Sequence, residues 1–166
     1  MSASRKVLLV THTRRPEALA AALETCQQLV SAGITPVMLP ADHTELLGYS
    51  QDNSALPAGI QLLDEARNLN ELEVAMVLGG DGTILKAAEI VREVEVPLIG
   101  INLGHVGFLA ESERDGLAEA VERVVAKDYV VKERMALDVR VIVEGKEVFR
   151  TWALNEATVE KSERER

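Results

Sequence analysis

Short apolar runs alternate with helix-like segments up to about residue 128, and this alternation constrains the fold more than any other feature. The runs typical of short buried strands lie at 6–10, 35–39, 72–78 and 96–101. Apolar residues recur at helical spacing in 16–32, in 83–94 and from Leu117 to Val124. Strands that alternate with helices form a parallel sheet covered on both faces. The sequence therefore predicts an α/β domain with a parallel sheet.

The hydrophobic period changes in the last part of the chain. Leu137, Val139, Val141 and Val143 alternate with polar residues, which is the pattern of a half-buried strand. The stretch EGK can turn the chain back, and EVFRTWALNEATVE is expected to continue as strand. We predict an α/β nucleotide-binding domain over 1–132 and the start of a β-rich second domain over 133–166. Two or three strands seldom stand alone, so this second domain is expected to be truncated.

Composition excludes several classes of protein. The formal net charge is −9, which disfavours sequence-independent binding to nucleic acid. The single cysteine, Cys26, cannot form an internal disulfide and is expected to be a small buried side chain. The first apolar run is too short for a secretory signal or a membrane span. We expect a cytoplasmic protein without a membrane partner. The polar stretch 41–58 is predicted to be a loop.

The stretch GGDGT places one carboxylate, Asp81, among three glycines at the end of a predicted strand. In open α/β sheets, ligands bind beyond the carboxyl ends of the strands. Gly79, Gly80 and Gly82 allow close approach to the backbone, and the following helix N-terminus favours an anion such as phosphate. Asp81 is then either a proton acceptor or metal ligand, or else Asp81 or Thr83 simply caps the helix. The residues alone leave both alternatives open.

Two further loops add polar candidates. In NLGHVGFLAE, which follows the strand 96–101, Phe108 can stack on a base or seal the core. Asn155 and Glu156 interrupt a predicted strand, where burial without partners costs about 1–3 kcal/mol, so a hydrogen-bonding role is favoured. Lys86 can reach a phosphate from the glycine-loop helix, or it can be an exposed lysine near Glu89.

Together, GGDGT at 79–83, NLGHVGFLAE at 102–111 and LNEATVEK at 154–161 resemble the NAD kinases, and most closely a bacterial, actinobacterial-like branch. GGDGT alone also occurs in lipid kinases and in the wider phosphofructokinase-like group, whereas the other two motifs are more specific. The resemblance covers almost all of the chain. It implies a Rossmann-like, phosphofructokinase-like first domain. It also implies a longer family protein, with a further β-rich region that contributes to the site.

The resemblance further implies phosphorylation of the 2′-hydroxyl of the adenosine ribose of NAD, which gives NADP. The donor is ATP or polyphosphate, with Mg²⁺ or another divalent metal, and the full-length protein is expected to be a homo-oligomer. Asp81 would accept the proton of the hydroxyl. The residues implied to contact the nucleotides are Asp81, Gly82, Lys86, Phe108, Asn155, Glu156 and Arg166. We expect the 166-residue chain alone to be weakly active or inactive.

Two other functions compete with this one. A lipid kinase of the diacylglycerol or sphingosine type would explain GGDGT but not the second and third motifs. It would also be expected to carry an apolar or basic surface segment, which this sequence lacks. A non-catalytic nucleotide-binding module is the second rival.

Overall fold

The computed structural model of the chain describes residues 4–53, 55–63, 69–103, 112–113, 116–154 and 156–160. The chain forms two compact units, Met1–Tyr129 and Val130–Arg166. The elements of the first unit are β1 Lys6–Thr11, α1 Pro16–Ser31, β2 Thr35–Met38, α2 Pro40–Asn53, β3 Gln61–Leu62, a 3₁₀ turn Leu69–Glu71, β4 Leu72–Leu78, α3 Asp81–Val91, β5 Leu98–Asn102, β6 Ser112–Glu113 and α4 Leu117–Ala126. The second unit contains β7 Leu137–Val143 and β8 Lys146–Ala153.

One parallel sheet organises the first unit. Over the described ranges it has six strands in the order β3-β2-β1-β4-β5-β6. The strand order reverses between β1 and β4, because β1 leads outward to β2 on one side and β4 leads to β5 on the other. The predicted α/β fold with a parallel sheet is confirmed. The two-residue strands β3 and β6 were not predicted from the sequence, because they are too short to show a pattern.

The central strands are buried on both faces. In β1, Val7 and Leu9 face one core layer while Leu8 and Val10 face the other, and all four are fully buried. The first layer includes apolar residues of α1, α2 and α4, and the second those of α3. A strand covered on both sides needs a continuous apolar run, which is the pattern that the sequence carries.

Helix α1 begins and ends where the sequence predicts. Pro16 occupies a first helical position, where its missing N–H costs nothing. Gly33 has φ +74° after the last turn. The N–H of Gly33 donates to Val30 O (2.9 Å) and that of Ile34 to Leu29 O (2.9 Å), which is the Schellman motif. The side chains of Leu29 and Ile34 are both buried.

The lone cysteine lies on α1 and behaves as a small apolar side chain. Cys26 is fully buried and free, as expected. Burial raises the pKa of its thiol to about 12, so its thiolate is scarce at neutral pH. Cys26 therefore belongs to the core and not to a reactive site.

The prediction of a loop over 41–58 is wrong, because α2 spans Pro40–Asn53. The helix buries only a narrow stripe, made of Asp42, Leu46 and Ser50. Two of these three side chains are polar, so the apolar periodicity that marks a helix is almost absent. Tertiary packing of Leu46 against the α1 layer stabilises α2 where its own sequence pattern does not.

The second unit contains an antiparallel hairpin. Glu144 (φ 50°) and Gly145 (φ 76°) form its two-residue turn, as the stretch EGK indicates. The prediction of a half-buried strand is wrong here, because most of β7 is exposed on both faces. Within the described residues the apolar face of this hairpin has no covering layer. The predicted continuation of β8 through Glu160 is also wrong, since the strand ends at Ala153 and 156–160 is irregular.

A partly buried ion pair lies at the amino-terminal edge of the sheet. Arg5 donates to Glu73 through Nε (2.7 Å) and Nη2 (2.5 Å), and to the carbonyls of Val124 and Val125 (both 2.7 Å). These carbonyls belong to the last turn of α4, where a cation interacts favourably with the helix dipole. The Arg5 hydrogen bond holds the pKa of Glu73 below its ordinary value. One guanidinium thus connects β1, β4 and α4.

We predict that Glu73→Gln lowers the free energy of unfolding by about 1.5–3 kcal/mol at pH 7, because hydrogen bonds to the charged partner are weakened. The folded pKa of Glu73 lies below its unfolded value, so its contribution is complete above about pH 5 and is lost as the pH falls through the folded pKa. Urea unfolding followed by circular dichroism between pH 3 and 7 measures this difference.

The matched control is Glu119→Gln, which removes an exposed pair with Arg123 (2.8 Å) on α4. Such a pair contributes about 0.3–0.5 kcal/mol. Equal losses for the two variants, or a Glu73 effect independent of pH, would contradict the prediction.

Candidate functional site

The glycine loop lies where the strand order reverses. β4 ends at Leu78 and α3 begins at Asp81, so the turn sits at the carboxyl end of the sheet. The N–H of His12, just after β1, donates to Leu78 O (3.0 Å), and the N–H of Gly79 donates to Ile101 O (3.1 Å). The ends of β1, β4 and β5 are therefore held together. In open α/β sheets this point of reversal is where ligands bind.

Gly79 is needed for the path of this turn. Its φ is +159°, and a Cβ added there would lie 2.5 Å from Thr83 Oγ1 and 3.3 Å from His12 Cβ. Added Cβ atoms at Gly80 and Gly82 would meet nothing within 4 Å. Of the three glycines, only Gly79 therefore lacks space for a Cβ atom. Gly79 lets the loop pack on α3 and β1, whereas Gly80 and Gly82 leave open space at the sheet edge.

Asp81 is the first residue of α3 and is partly buried. The N-cap is Gly80, which has no side chain, and the N–H groups of Thr83 (2.9 Å) and Ile84 (3.2 Å) donate to its carbonyl. The alternative in which Asp81 serves as the N-cap is therefore wrong. An acidic residue in the first turn still interacts favourably with the helix dipole. The carboxylate stands at the helix N-terminus, beside N–H groups that can bind an anion.

His12 adds a polar group that the sequence reasoning missed. Its Nδ1 is buried and has no hydrogen-bond partner within the part of the chain that the structure describes. A buried, unpaired nitrogen is costly, and such groups often mark sites that a ligand or water completes. The signal in the sequence was the polar stretch that follows the first strand directly.

Lys86 lies on α3 and does not stand alone. Its Nζ donates to Asp42 Oδ1 on α2 at 2.8 Å. The side chain is 46% exposed, as in the alternative of an exposed lysine, and it is Arg92 that pairs with Glu89 (3.7 Å). Asp42 was missed from the sequence, because the stretch around it was predicted to be a loop.

Four further nucleotide contacts were predicted outside the glycine-loop helix. Phe108, Asn155 and Arg166 lie outside the described residues. Glu156 belongs to the second unit, follows β8 and is exposed. Of the predicted residues, Asp81, Gly82 and Lys86 lie on one helix, α3.

A protein-built metal cage is not found in the described ranges, where no three His, Cys, Asp or Glu side chains gather. Mg²⁺ is usually held by one or two carboxylates together with substrate phosphates. Asp81 at the helix N-terminus fits that smaller donor set. A divalent ion bound there would neutralise charge on a phosphate.

We predict that Gly79→Ala lowers the free energy of unfolding by about 1–3 kcal/mol, because its Cβ would collide with Thr83. Gly82→Ala is the matched control. It lies in the first turn of α3 with free space around it, so we expect it to be neutral or to stabilise by up to about 1 kcal/mol. Thermal unfolding of both variants measures the difference. A Gly79→Ala protein as stable as Gly82→Ala would contradict this account of the turn.

Comparisons with known proteins agree with this geometry. The family described as "ATP-NAD kinase N-terminal domain" matches residues 7–129. An NAD kinase of Leifsonia xyli subsp. xyli is 52% identical over 166 residues, which cover 100% of this chain and 53% of that protein. An NAD kinase of Thermobifida fusca is 45% identical over 165 residues, covering 96% of this chain and 49% of that protein.

A solved structure shares the fold. Yeast NADH kinase complexed with NADH matches with a TM-score of 0.74 at 20% identity, covering 92% of this chain and 47% of that chain. The chain spans about half the length of the curated relatives it matches. The family match extends from Val7 in β1 to Tyr129, just after α4, and the Leifsonia relative matches over the whole chain, so the resemblance seen in the three motifs is confirmed. This chain belongs to the NAD kinase family.

Proposed function

We propose that the full-length protein carrying this chain is an NAD kinase, which transfers a phosphoryl group from ATP or polyphosphate to the 2′-hydroxyl of the adenosine ribose of NAD. The observation that carries the proposal is the position of Asp81. It stands at the N-terminus of α3, in a glycine turn, where the strand order of the sheet reverses. The family membership of the chain supports the same activity.

In the proposed reaction Asp81 accepts the proton of the 2′-hydroxyl. The ribose oxygen then forms a bond to the terminal phosphorus of the donor, while the bond from that phosphorus to the bridging oxygen breaks. With ATP the products are NADP and ADP. Phosphoryl transfer depends mainly on alignment and on electrostatic stabilisation, so a single carboxylate and a phosphate-binding turn suffice for this half of the site.

The nucleotide contacts are part of the proposal. Gly82 offers space and a first-turn N–H group for the approach of the nucleotide, and Lys86 supplies positive charge. Local positive groups matter because the chain has a net charge of −9, which repels anionic substrates. The other contacts proposed from the family motif are Phe108, Asn155, Glu156 and Arg166. A divalent metal, a homo-oligomeric full-length protein and a cytoplasmic location remain predictions.

The lipid-kinase alternative is not favoured, because the family match covers the α/β unit and the relatives reported above are NAD kinases. In the described part of the chain no helix is both long and apolar enough to cross a membrane. The alternative of a non-catalytic module applies to the 166-residue chain by itself. We propose that this chain alone makes little or no NADP, because it has about half the length of its relatives.

We predict that Asp81→Asn in the full-length protein lowers kcat about 10²- to 10⁴-fold, which is the usual contribution of a general base. The variant keeps the shape of the side chain, so binding of NAD is expected to change little. NADP is measured by an enzymatic cycling assay with NAD, Mg²⁺ and either ATP or polyphosphate.

Glu89→Gln is the matched control, since it removes an exposed carboxylate from the same helix. It is expected to retain wild-type turnover. A wild-type protein that makes no NADP with either donor would refute the proposed activity. Near-normal turnover of Asp81→Asn would refute the role of Asp81 alone.

A further inference from the structure

A buried carboxylate lies at the ligand-binding edge of the sheet, and the proposed reaction does not use it. Asp42 is only 1% exposed, although it lies in the first turn of α2. Its Oδ1 accepts from Lys86 Nζ (2.8 Å), and its Oδ2 accepts from the backbone N–H of Thr11 (3.3 Å). A buried carboxylate is costly unless it is paired in this way. Both of its oxygens therefore have partners.

These contacts join elements from opposite faces of the sheet. α2 packs its Leu46 in the same core layer as α1, whereas α3 packs its Ile84 in the other layer. Thr11 is the last residue of β1, which lies between the two layers. The Asp42–Lys86 pair therefore crosses the carboxyl edge of the sheet over the end of β1. This is the position where the strand order reverses and where the glycine loop begins.

The pair leaves Lys86 able to bind a ligand. The Lys86 side chain is 46% exposed, while Asp42 is buried. A lysine ammonium has three donors, and Asp42 takes one of them. A free lysine side chain also loses conformational entropy when a ligand fixes it. A lysine already held by a buried partner avoids part of that cost, which is preorganisation.

We propose that Asp42 is a positioning residue for the nucleotide site: it holds the Lys86 ammonium, and through Thr11 the end of β1, in the arrangement that an anionic nucleotide requires. The inference rests on the proposed function, because it assigns Asp42 a part in binding the substrates of that reaction. Asp42 acts through Lys86 and does not touch the reacting atoms. The segment that carries it, α2, is thus a functional part of the site.

A double-mutant cycle in the full-length protein tests this. Asp42→Asn keeps the shape and an acceptor for the Thr11 N–H but removes the charge that holds Lys86. We expect KM for the nucleotide that Lys86 contacts to rise about tenfold, with kcat within about twofold of wild type. In a Lys86→Met background the same Asp42→Asn change is expected to leave KM unaltered. A purely structural role for Asp42 would instead give the same KM change in both backgrounds.

Two further variants control for the loss of an ion pair in general and for misfolding of Asp42→Asn. Glu71→Gln breaks a lysine–carboxylate pair with Lys6 (2.5 Å) at the opposite edge of the sheet, where the carboxylate is exposed, and it is expected to leave KM unchanged. Asp42→Glu keeps the charge and is the variant to use if Asp42→Asn does not fold. Its longer side chain displaces the ammonium, so we expect about a threefold rise in KM that also disappears in the Lys86→Met background.

A measurement on the wild-type protein needs no variant. Acetylation of lysines by acetic anhydride, followed by mass spectrometry, reports whether NAD or ATP shields Lys86. We expect at least about threefold slower labelling of Lys86 with one of the two nucleotides and no change at Lys6, which faces the other edge. Absence of protection by both, or an Asp42 effect that persists without Lys86, would overturn the inference. If the wild type makes no NADP, the proposed function itself fails.

Discussion

Two-sided burial of β1 and β4 is the constraint on which the first unit depends. Neighbouring residues of these strands point into opposite core layers and are nearly all fully buried. A central parallel strand of this kind needs helices on both faces, so the chain must cross from one face to the other. The crossing reverses the strand order between β1 and β4 and leaves the carboxyl ends of these strands as an open edge. The candidate site follows from that geometry.

The two edges of these strands use ion pairs in different ways. At the amino edge, Arg5 is bound by Glu73 and by two helix carbonyls, so its donors serve the fold. At the carboxyl edge, the Lys86 ammonium has three N–H donors and gives one of them to Asp42 Oδ1. The first arrangement ties α4 to the sheet. The Asp42–Lys86 pair holds the ammonium in place and leaves it able to bind an anionic ligand. Such a local positive charge matters in a chain whose net charge is −9.

The sequence predicted elements best where burial leaves a pattern. The strand 72–78 and the helix that begins at Pro16 were predicted correctly, because a continuous apolar run and a proline at N1 each have one favoured structure. α2 was predicted to be a loop, because its stripe contains one apolar and two polar side chains. The exposure of β7 was not foreseen, since alternation shows which side chains share a face but not whether another layer covers it.

By itself the sequence determined the α/β class, the glycine turn that holds Asp81 and, through three motifs, the family. These properties are local or periodic, so neighbouring residues suffice to encode them. Only the tertiary structure decided that Gly80 is the helix cap, that His12 lies against the glycine turn, and that Asp42 binds Lys86. Asp42 and Lys86 are far apart in sequence and lie on helices of opposite faces. Only the folded sheet brings them together, since no local pattern records a contact made across its edge.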